Sequence, residues 1–520
     1  MPTKTKSILI SFSSGILMGL APAPYNAWYL AWFALAPLWI LIKSEKSLRQ
    51  TGILALAWGL GYDGMALFWI TGVHPMTWMG VPWLASISIA IFCWIFITLW
   101  GTGVVVTWAV LIGLIKQKIK RHERASSNII LVLAAVALWC GLETVWNHTP
   151  LWWPAIAYTQ STHNLIILQL GKLSGVNTVA AVIIAVNVCL AEAILTWKKQ
   201  GSWSNKILSL SLPFIILLAA HLAGFYLYRI PLAKNNLAPL KVGIIQGNIP
   251  NEIKLYSEGW RKAIAGYTSG YRRLAGQGVD VVLTPEGALP DYWEDIVDNS
   301  SFYRAVIREQ IPVWVGANGR DGSSYTNSIF TLTGEGKTYS RYNKYKLVPL
   351  GEYIPFESII GGLIDRLSPL NAHLAAGKSN QIFDTPFGRA IIAICYESAF
   401  PHHFLRQAQA GGEFMVTASN NAHYSKTMPT QHHAHDVMRA IETDRWAARA
   451  TNTGYSAIVD PHGHTLWISQ IDEYAIHADT IYRRQNKTLY VRWGDWLTPT
   501  LIIVSGLTIL LNFRSAREIW

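Results

Sequence analysis

Three side chains of this sequence combine into a chemistry that none performs alone. The apolar run Ile391-Ile392-Ala393-Ile394, bounded upstream by Pro386 and Gly388, ends in Cys395-Tyr396-Glu397-Ser398. Such a run reads as a buried strand that delivers a thiol to its end. A lone Cys is more often a buried structural residue, so its company decides the reading. Val281-Val282-Leu283-Thr284-Pro285-Glu286 brings a carboxylate to the end of a second short strand. Tyr342-Asn343-Lys344 precedes Leu347-Val348-Pro349-Leu350-Gly351-Glu352. A thiol needs a base to become a nucleophilic thiolate. A carboxylate can take that proton when burial raises its pKa. A lysine stabilises the anion on a carbonyl oxygen under attack, an effect of roughly 3 kcal/mol. Acid, cation and thiol make an acyl-transfer set.

The elements that hold these residues follow from composition. The chain has 520 residues, 51% of them hydrophobic and only 14% charged, which points to a membrane protein with a sizeable polar part. The net charge of +12 sits largely in short loops between apolar stretches, so membrane topology explains it better than nucleic acid does. Apolar stretches at 7–24, 27–43, 52–73, 86–115, 128–146, 175–196, 207–228 and 497–513 predict about eight spans. Lys4 and Lys6 before an apolar run resemble a signal peptide, but Pro22 and Pro24 disfavour cleavage, so an uncleaved first span is expected. Basic residues fall at the N-terminus, at 43–49, 116–124 and 198–206, and at Arg514 and Arg517. Loops 74–85 and 147–174 hold a single one, Lys172. The positive-inside rule then places both termini in the cytoplasm and residues 229–496 outside, in the periplasm of a Gram-negative cell.

The outer region alternates strands and helices. Strands are expected at 242–246, 281–283, 313–316, 328–333, 391–394 and 414–418, and helices at 257–276, 298–310, 400–410 and 429–447. That alternation predicts a layered α/β domain. Residues 353–376 form an apolar insertion that reads equally as a core helix or as a lid on the membrane. Cys93, Cys140 and Cys189 lie in apolar stretches, so Cys395 has no disulfide partner in the polar region.

The order Glu286, Lys344, Cys395 resembles the nitrilase (carbon–nitrogen hydrolase) superfamily, through Pro285-Glu286, Tyr342-x-Lys344 with Pro349-x-Gly351-Glu352, and Cys395-Tyr396-Glu397. With membrane spans on both sides, the whole chain resembles the apolipoprotein N-acyltransferase family. Gln246-Gly247-Asn248-Ile249-Pro250 and Arg449-Ala450-Thr451-Asn452-Thr453-Gly454 agree. The resemblance implies a four-layer αββα nitrilase-like domain held over a transmembrane bundle. Its segments are 1–228 (seven spans), 229–496 (catalytic) and 497–520 (last span and tail). It implies transfer of an acyl chain from a phospholipid, phosphatidylethanolamine foremost, to the α-amine of a diacylated apolipoprotein. Cys395 is then the nucleophile that carries a thioester, Glu286 the base and Lys344 the oxyanion partner. Glu352 orients the site, and Tyr396 and Glu397 line it. No cofactor is implied, and a monomer is expected.

The chain departs from the family at two places. Leu255 stands where Trp is common, and Ser419-Asn420-Asn421-Ala422-His423-Tyr424 where Ser-Asn-Asp-Ala-Trp-Phe is common. Both bear on substrate preference. Glu397 competes with Glu286 as base, a matter for geometry. Lys346 competes with Lys344, but the spacing of eight residues to Glu352 in the family selects Lys344. His402, His403, His432, His433 and His435 match no standard metal spacing, so no metal is expected. Asp63 and Glu143, in or near apolar spans, read as helix-end or polar-packing groups. Two other functions compete: a membrane-tethered amidase of small amides, and a receptor or transporter with an inactive domain. The first needs no lipid access, and the intact residue set speaks against the second.

Overall fold

The structure is a computed structural model that describes residues 3–119, 127–198, 203–232, 239–254, 256–349, 351–353, 374–422 and 424–517. The expected lid at 353–376 therefore lies almost wholly outside the described residues, as do Leu255 and His423. The chain divides into a helical unit of residues 1–68, 91–231 and 493–520, and an α/β unit of residues 69–90 and 232–492.

In the helical unit the expectation of eight spans is only partly met. Among the described residues, four helices are long and apolar enough to cross a membrane: Trp83–Ile119, Asn128–Asn147, Val176–Trp197 and Lys206–Tyr228. The apolar segments Trp28–Ser44, Leu165–Ser174 and Leu497–Asn512 are shorter. The expected span 27–43 is a 3-10 turn, Trp28–Trp32, followed by a helix, Ala36–Ser44, that opens on Pro37. Proline suits a first helical turn but cannot continue one, hence the break. For the same reason the first helix, Lys4–Gly19, stops before Pro22 and Pro24. The third expected span ends as an α-helix at Ala66 and runs on in 3-10 turns, Phe68–Val73.

Small residues let these helices touch. A Cβ on Gly15 would lie 2.0 Å from the Trp58 carbonyl oxygen, so the helices Lys4–Gly19 and Leu48–Ala66 approach backbone to backbone. The broken second segment is pinned by Asn187, whose Oδ1 accepts from the Leu35 and Ala36 amides at 2.9 and 3.2 Å. The two buried acids act as packing groups. Asp63 accepts from Thr102 Oγ1 at 3.4 Å, and Glu143 from the Ile156 amide at 2.9 Å.

The α/β unit is built on two sheets. The first holds β1 (Pro239–Gln246), β2 (Val281–Leu283), β3 (Leu289–Tyr292), β4 (Val313–Asp321), β5 (Ser324–Leu332), β6 (Thr338–Asn343) and, late in the chain, β13 (Ala475–Tyr482). Its order is β13-β1-β2-β4-β5-β6, with β3 paired to β4. The second holds β7 (Phe383–Thr385), β8 (Gly388–Ile394), β9 (Phe414–Ser419), β10 (Ala447–Thr451), β11 (Ala457–Val459) and β12 (Thr465–Ile468), in the order β12-β11-β10-β9-β8-β7. The centres are parallel, β1-β2-β4 and β8-β9-β10, and most of their residues are buried, as in strands covered on both faces.

Alternation decides which way each residue looks. Val242, Leu283, Trp314, Ile392, Val416 and Ala448 meet in one core shared by the two sheets. Their neighbours Val282, Val313 and Val315 turn the other way and join Tyr267, Leu274 and Phe302 of the flanking helices in a second core. Those helices are Ser257–Ala275, Trp293–Asn299 and Ser301–Glu309. The single helix expected at 298–310 is thus two, because Ser300 is extended and its hydroxyl caps the second by accepting from the Tyr303 amide at 3.0 Å. The helix expected at 429–447 is Thr427–Thr443 and stops at Asp444, which is left-handed at φ 58°. Ile392 is fully buried in the inter-sheet core. Ile392→Ala is expected to lower stability by about 2–5 kcal/mol, read as an earlier thermal transition of the detergent-purified protein.

Candidate active site

The parallel strands of both sheets end at one place, and Glu286, Lys344, Glu352 and Cys395 lie there. After β2, Thr284 stays tied to β4: its amide donates to Trp314 O at 3.0 Å, and its Oγ1 accepts from the Gly316 amide at 3.1 Å. Gly316 is obligatory, since a Cβ there would fall 2.0 Å from Pro285 O. The turn so held presents Glu286. After β6, Lys344 is fixed by its amide, which donates to Asn327 O at 2.8 Å. After β8, Cys395 sits at φ 52°, an uncommon backbone for a non-glycine residue and one that turns the thiol off the strand line.

The side chains form one network. Lys344 Nζ donates to Glu286 Oε1 at 2.9 Å and to Glu352 Oε1 at 2.7 Å. Glu352 Oε2 accepts from the Val348 amide at 2.7 Å. Glu286 also accepts from Asn327 Nδ2 at 2.6 Å and, through Oε2, from the Asn420 amide at 2.8 Å. The Cys395 thiol faces Asn420 O at 3.9 Å, so Asn420 bridges the Glu286 carboxylate and the thiol through its own backbone. All this is sheltered: Glu286, Lys344 and Cys395 are 7%, 1% and 6% exposed.

Burial alone would push the Glu286 carboxyl up, as the sequence suggests. The Lys344 ammonium, then Lys254 and the Asn327 amide, outweigh it and hold Glu286 below the usual carboxylate range. The expected upward shift is therefore reversed. Burial likewise opposes the Lys344 charge, but Glu286 and Glu352 hold it well above the usual lysine range. Burial, with Glu286 nearby, raises Glu352. Burial and then Glu286 push the Cys395 thiol up to about 12. The resting site is thus a thiol beside a carboxylate and a fixed cation.

Glu397 lies elsewhere. It is fully buried and accepts from the Ile394, Tyr345 and Lys346 amides and the Tyr342 hydroxyl, at 2.7 to 3.2 Å. A carboxylate so saturated locks the Cys395 turn to the Lys344 loop rather than serving as a base. Glu397→Ala would leave several buried donors unpaired, and a stability loss of about 3 kcal/mol or more is expected in thermal melts. Tyr396 is half-buried, edge-on to Phe400 with ring centroids 5.0 Å apart.

The histidines are dispersed into separate bonds. His432 faces Cys395 O at 2.9 Å, His402 the Tyr345 hydroxyl at 3.0 Å, and His403 the Ile392 carbonyl at 2.8 Å. The potential metal-ligand group found among the described residues is Asp460, His462 and His464. There the Asp460 carboxylate already accepts from the His462 and His464 amides and meets His464 Nδ1, at 2.8 to 2.9 Å.

Sequence reasoning missed Asn327, Lys254 and the role of Asn420. Two amides and a short-helix lysine carry no spacing signal; only strand order brings them here. It also treated 74–85 as a mere loop. Residues 69–90 instead belong to the α/β unit, and Trp69 packs edge-on to Tyr424 at 5.1 Å.

A model of the apolipoprotein N-acyltransferase N-terminal domain matches residues 14–189, and one of carbon–nitrogen hydrolases matches 241–476. The chain is 55% identical to an apolipoprotein N-acyltransferase of Nostoc sp. over 95% of this chain and 97% of that one. It is 49% identical to one of Synechocystis sp., covering 95% and 98%. Among solved structures, an amidase from Nesterenkonia sp. aligns with 48% of this chain and 92% of its own at 16% identity and TM-score 0.36. By its identity to full-length relatives and its two family domains, the chain belongs to the apolipoprotein N-acyltransferase family.

Proposed function

We propose that the protein moves an acyl chain from a phospholipid to the α-amine of a diacylated apolipoprotein, through a thioester on Cys395. The observation that carries this is the Glu286–Lys344–Glu352 network buried against a thiol in a chain with apolar, membrane-length helices. In the first half-reaction the Cys395 sulfur attacks the ester carbonyl as Glu286 takes its proton. With the thiol raised and the carboxylate lowered, that transfer is unfavourable at rest. It becomes favourable as the S–C bond forms, so the proton and the sulfur move together. Lys344, charged between two carboxylates, faces the developing oxyanion. Glu286 returns the proton to the departing alkoxide, leaving lysophospholipid and acyl-enzyme. An amine then attacks the thioester, and Cys395 leaves as the thiol.

Phosphatidylethanolamine is the proposed donor, and a monomer the proposed working form. The proposed topology keeps eight crossings, the shorter or broken apolar segments included. Residues 1–228 and 497–520 form the membrane part and 229–496 a periplasmic catalytic part, with both termini cytoplasmic. The loop charges support this orientation. So does the grouping of residues 69–90 with the α/β unit, since that segment must then share its side of the membrane. The deciding experiment is intact-mass analysis of the detergent-purified protein after incubation with phosphatidylethanolamine. A hydroxylamine-labile acyl mass on Cys395 is expected; a folded protein that gains none from any diacyl phospholipid overturns the thioester route.

A further inference from the structure

Lys254 is a buried cation whose part in the network so far is only to help hold Glu286 ionised. It ends a short helix, Asn251–Lys254, that follows β1. Its neighbours fix it: a Cβ on Gly259 would come within 2.7 Å of Lys254 Cα, and Asn251 Oδ1 accepts from Asn420 Nδ2 at 3.3 Å. Lys254 is only 9% exposed. Lysines are rarely buried this far without a charged partner in contact. Lys344 has two carboxylates. Among the described residues, Lys254 Nζ hydrogen-bonds instead to a neutral group, the Glu286 carbonyl oxygen, at 3.3 Å. The titratable groups that act on its charge are Glu286, from the turn after β2, and Cys395, from the end of β8.

We propose that Lys254 is the base of the second half-reaction, taking the proton that the acceptor's α-ammonium must lose before its nitrogen can attack the thioester. This rests on the thioester reading above. The proton count calls for such a group. An α-ammonium that becomes an amide sheds two protons, and the departing Cys395 sulfur takes back only one. Lys254 as free amine accepts the first, the N–C bond forms, and the C–S bond breaks. The second proton passes through Glu286 to the sulfur, and Lys254 releases its own to solvent before the next turnover. Glu286 cannot hold both protons, and Lys344 is kept charged by its carboxylates. Burial, against the pull of Glu286 and Cys395, brings Lys254 down to about 8. That lies close to a free α-amine at roughly 7.7–8.0, so the proton moves between near-equals.

The test separates the two half-reactions on the full-length protein in detergent. Acyl-enzyme is accumulated with phosphatidylethanolamine, then mixed with a diacylated lipopeptide bearing a free N-terminal amine, and single-turnover transfer is followed from pH 6.5 to 9.5. For Lys254→Met, transfer at pH 7 is expected to fall about 100-fold, well beyond any change in the rate of acyl-enzyme formation, which Lys254 touches only by helping to hold Glu286 ionised. The deficit should shrink as pH rises past 8, where the acceptor amine loses its proton unaided. Hydroxylamine, already unprotonated at pH 7, should cleave variant and native thioesters at similar rates. Lys254→Arg, which keeps the cation but cannot give up its proton, should show the same pH-dependent loss, and it carries the test if the Met variant does not fold. Native transfer rates in either variant, or a loss equal at every pH, overturns the proposal. Failure of the native protein to form acyl-enzyme overturns the thioester reading instead.

Discussion

Cys395→Ala is expected to abolish acyl-enzyme formation and lipopeptide N-acylation together, with no residual ping-pong turnover. In the proposed route the substitution removes the atom that forms the covalent bond, and Cys93, Cys140 and Cys189 all lie in the helical unit. Its effect on folding should be small, since alanine keeps the β-carbon in the core and the thiol's hydrogen bond among the described residues, to Asn420 O at 3.9 Å, is weak. The intact mass after incubation with donor lipid should stay that of the unmodified chain, while the thermal transition stays near that of the native protein. A variant that still N-acylates lipopeptide would sink the thioester route and leave direct transfer between the two bound lipids.

Glu286→Gln is the second large effect. The amide keeps the shape and can still meet Lys344 and Asn327, but it cannot take a proton. Thioester formation should slow by about 10²–10⁴-fold in single-turnover experiments, and an unchanged rate removes Glu286 as base. The native protein supplies a pH counterpart. Because Lys344 and its neighbours hold Glu286 below the usual carboxylate range, its carboxylate stays ionised through mild acid. Acylation should hold as pH falls through the ordinary glutamate value of about 4.3 and fail only beneath it. The ion pair's contribution to folding follows the same sign: present above the unfolded-state value, lost as pH drops through the lowered folded one. A rate that already halves between pH 6 and 5 would assign the essential ionisation to another group.

The sequence by itself singled out the residues that meet and the strands that hold them. Apolar runs of strand length that end in Glu286 and Cys395 announce buried parallel strands, because only strands covered on both faces are apolar at every position. The long apolar stretches around 86–115, 128–146, 175–196 and 207–228 needed no tertiary information, since length and hydropathy alone define a membrane-length helix. Tertiary structure decided what depends on neighbours from distant parts of the chain. It broke the second apolar segment around Pro37 and pinned it with Asn187, 150 or so residues away. It separated two glutamates that look alike on paper: Glu286 meets Lys344 and the Asn420 amide at the strand ends, whereas Glu397 is saturated by four donors behind the thiol turn. It also set the direction of the Glu286 shift, because burial is foreseeable from an apolar strand but the opposing cations are not. Lys254 reaches the site for the same reason. β1 lies beside β2 in the sheet, so the residues that follow each strand emerge together though more than 30 positions separate them.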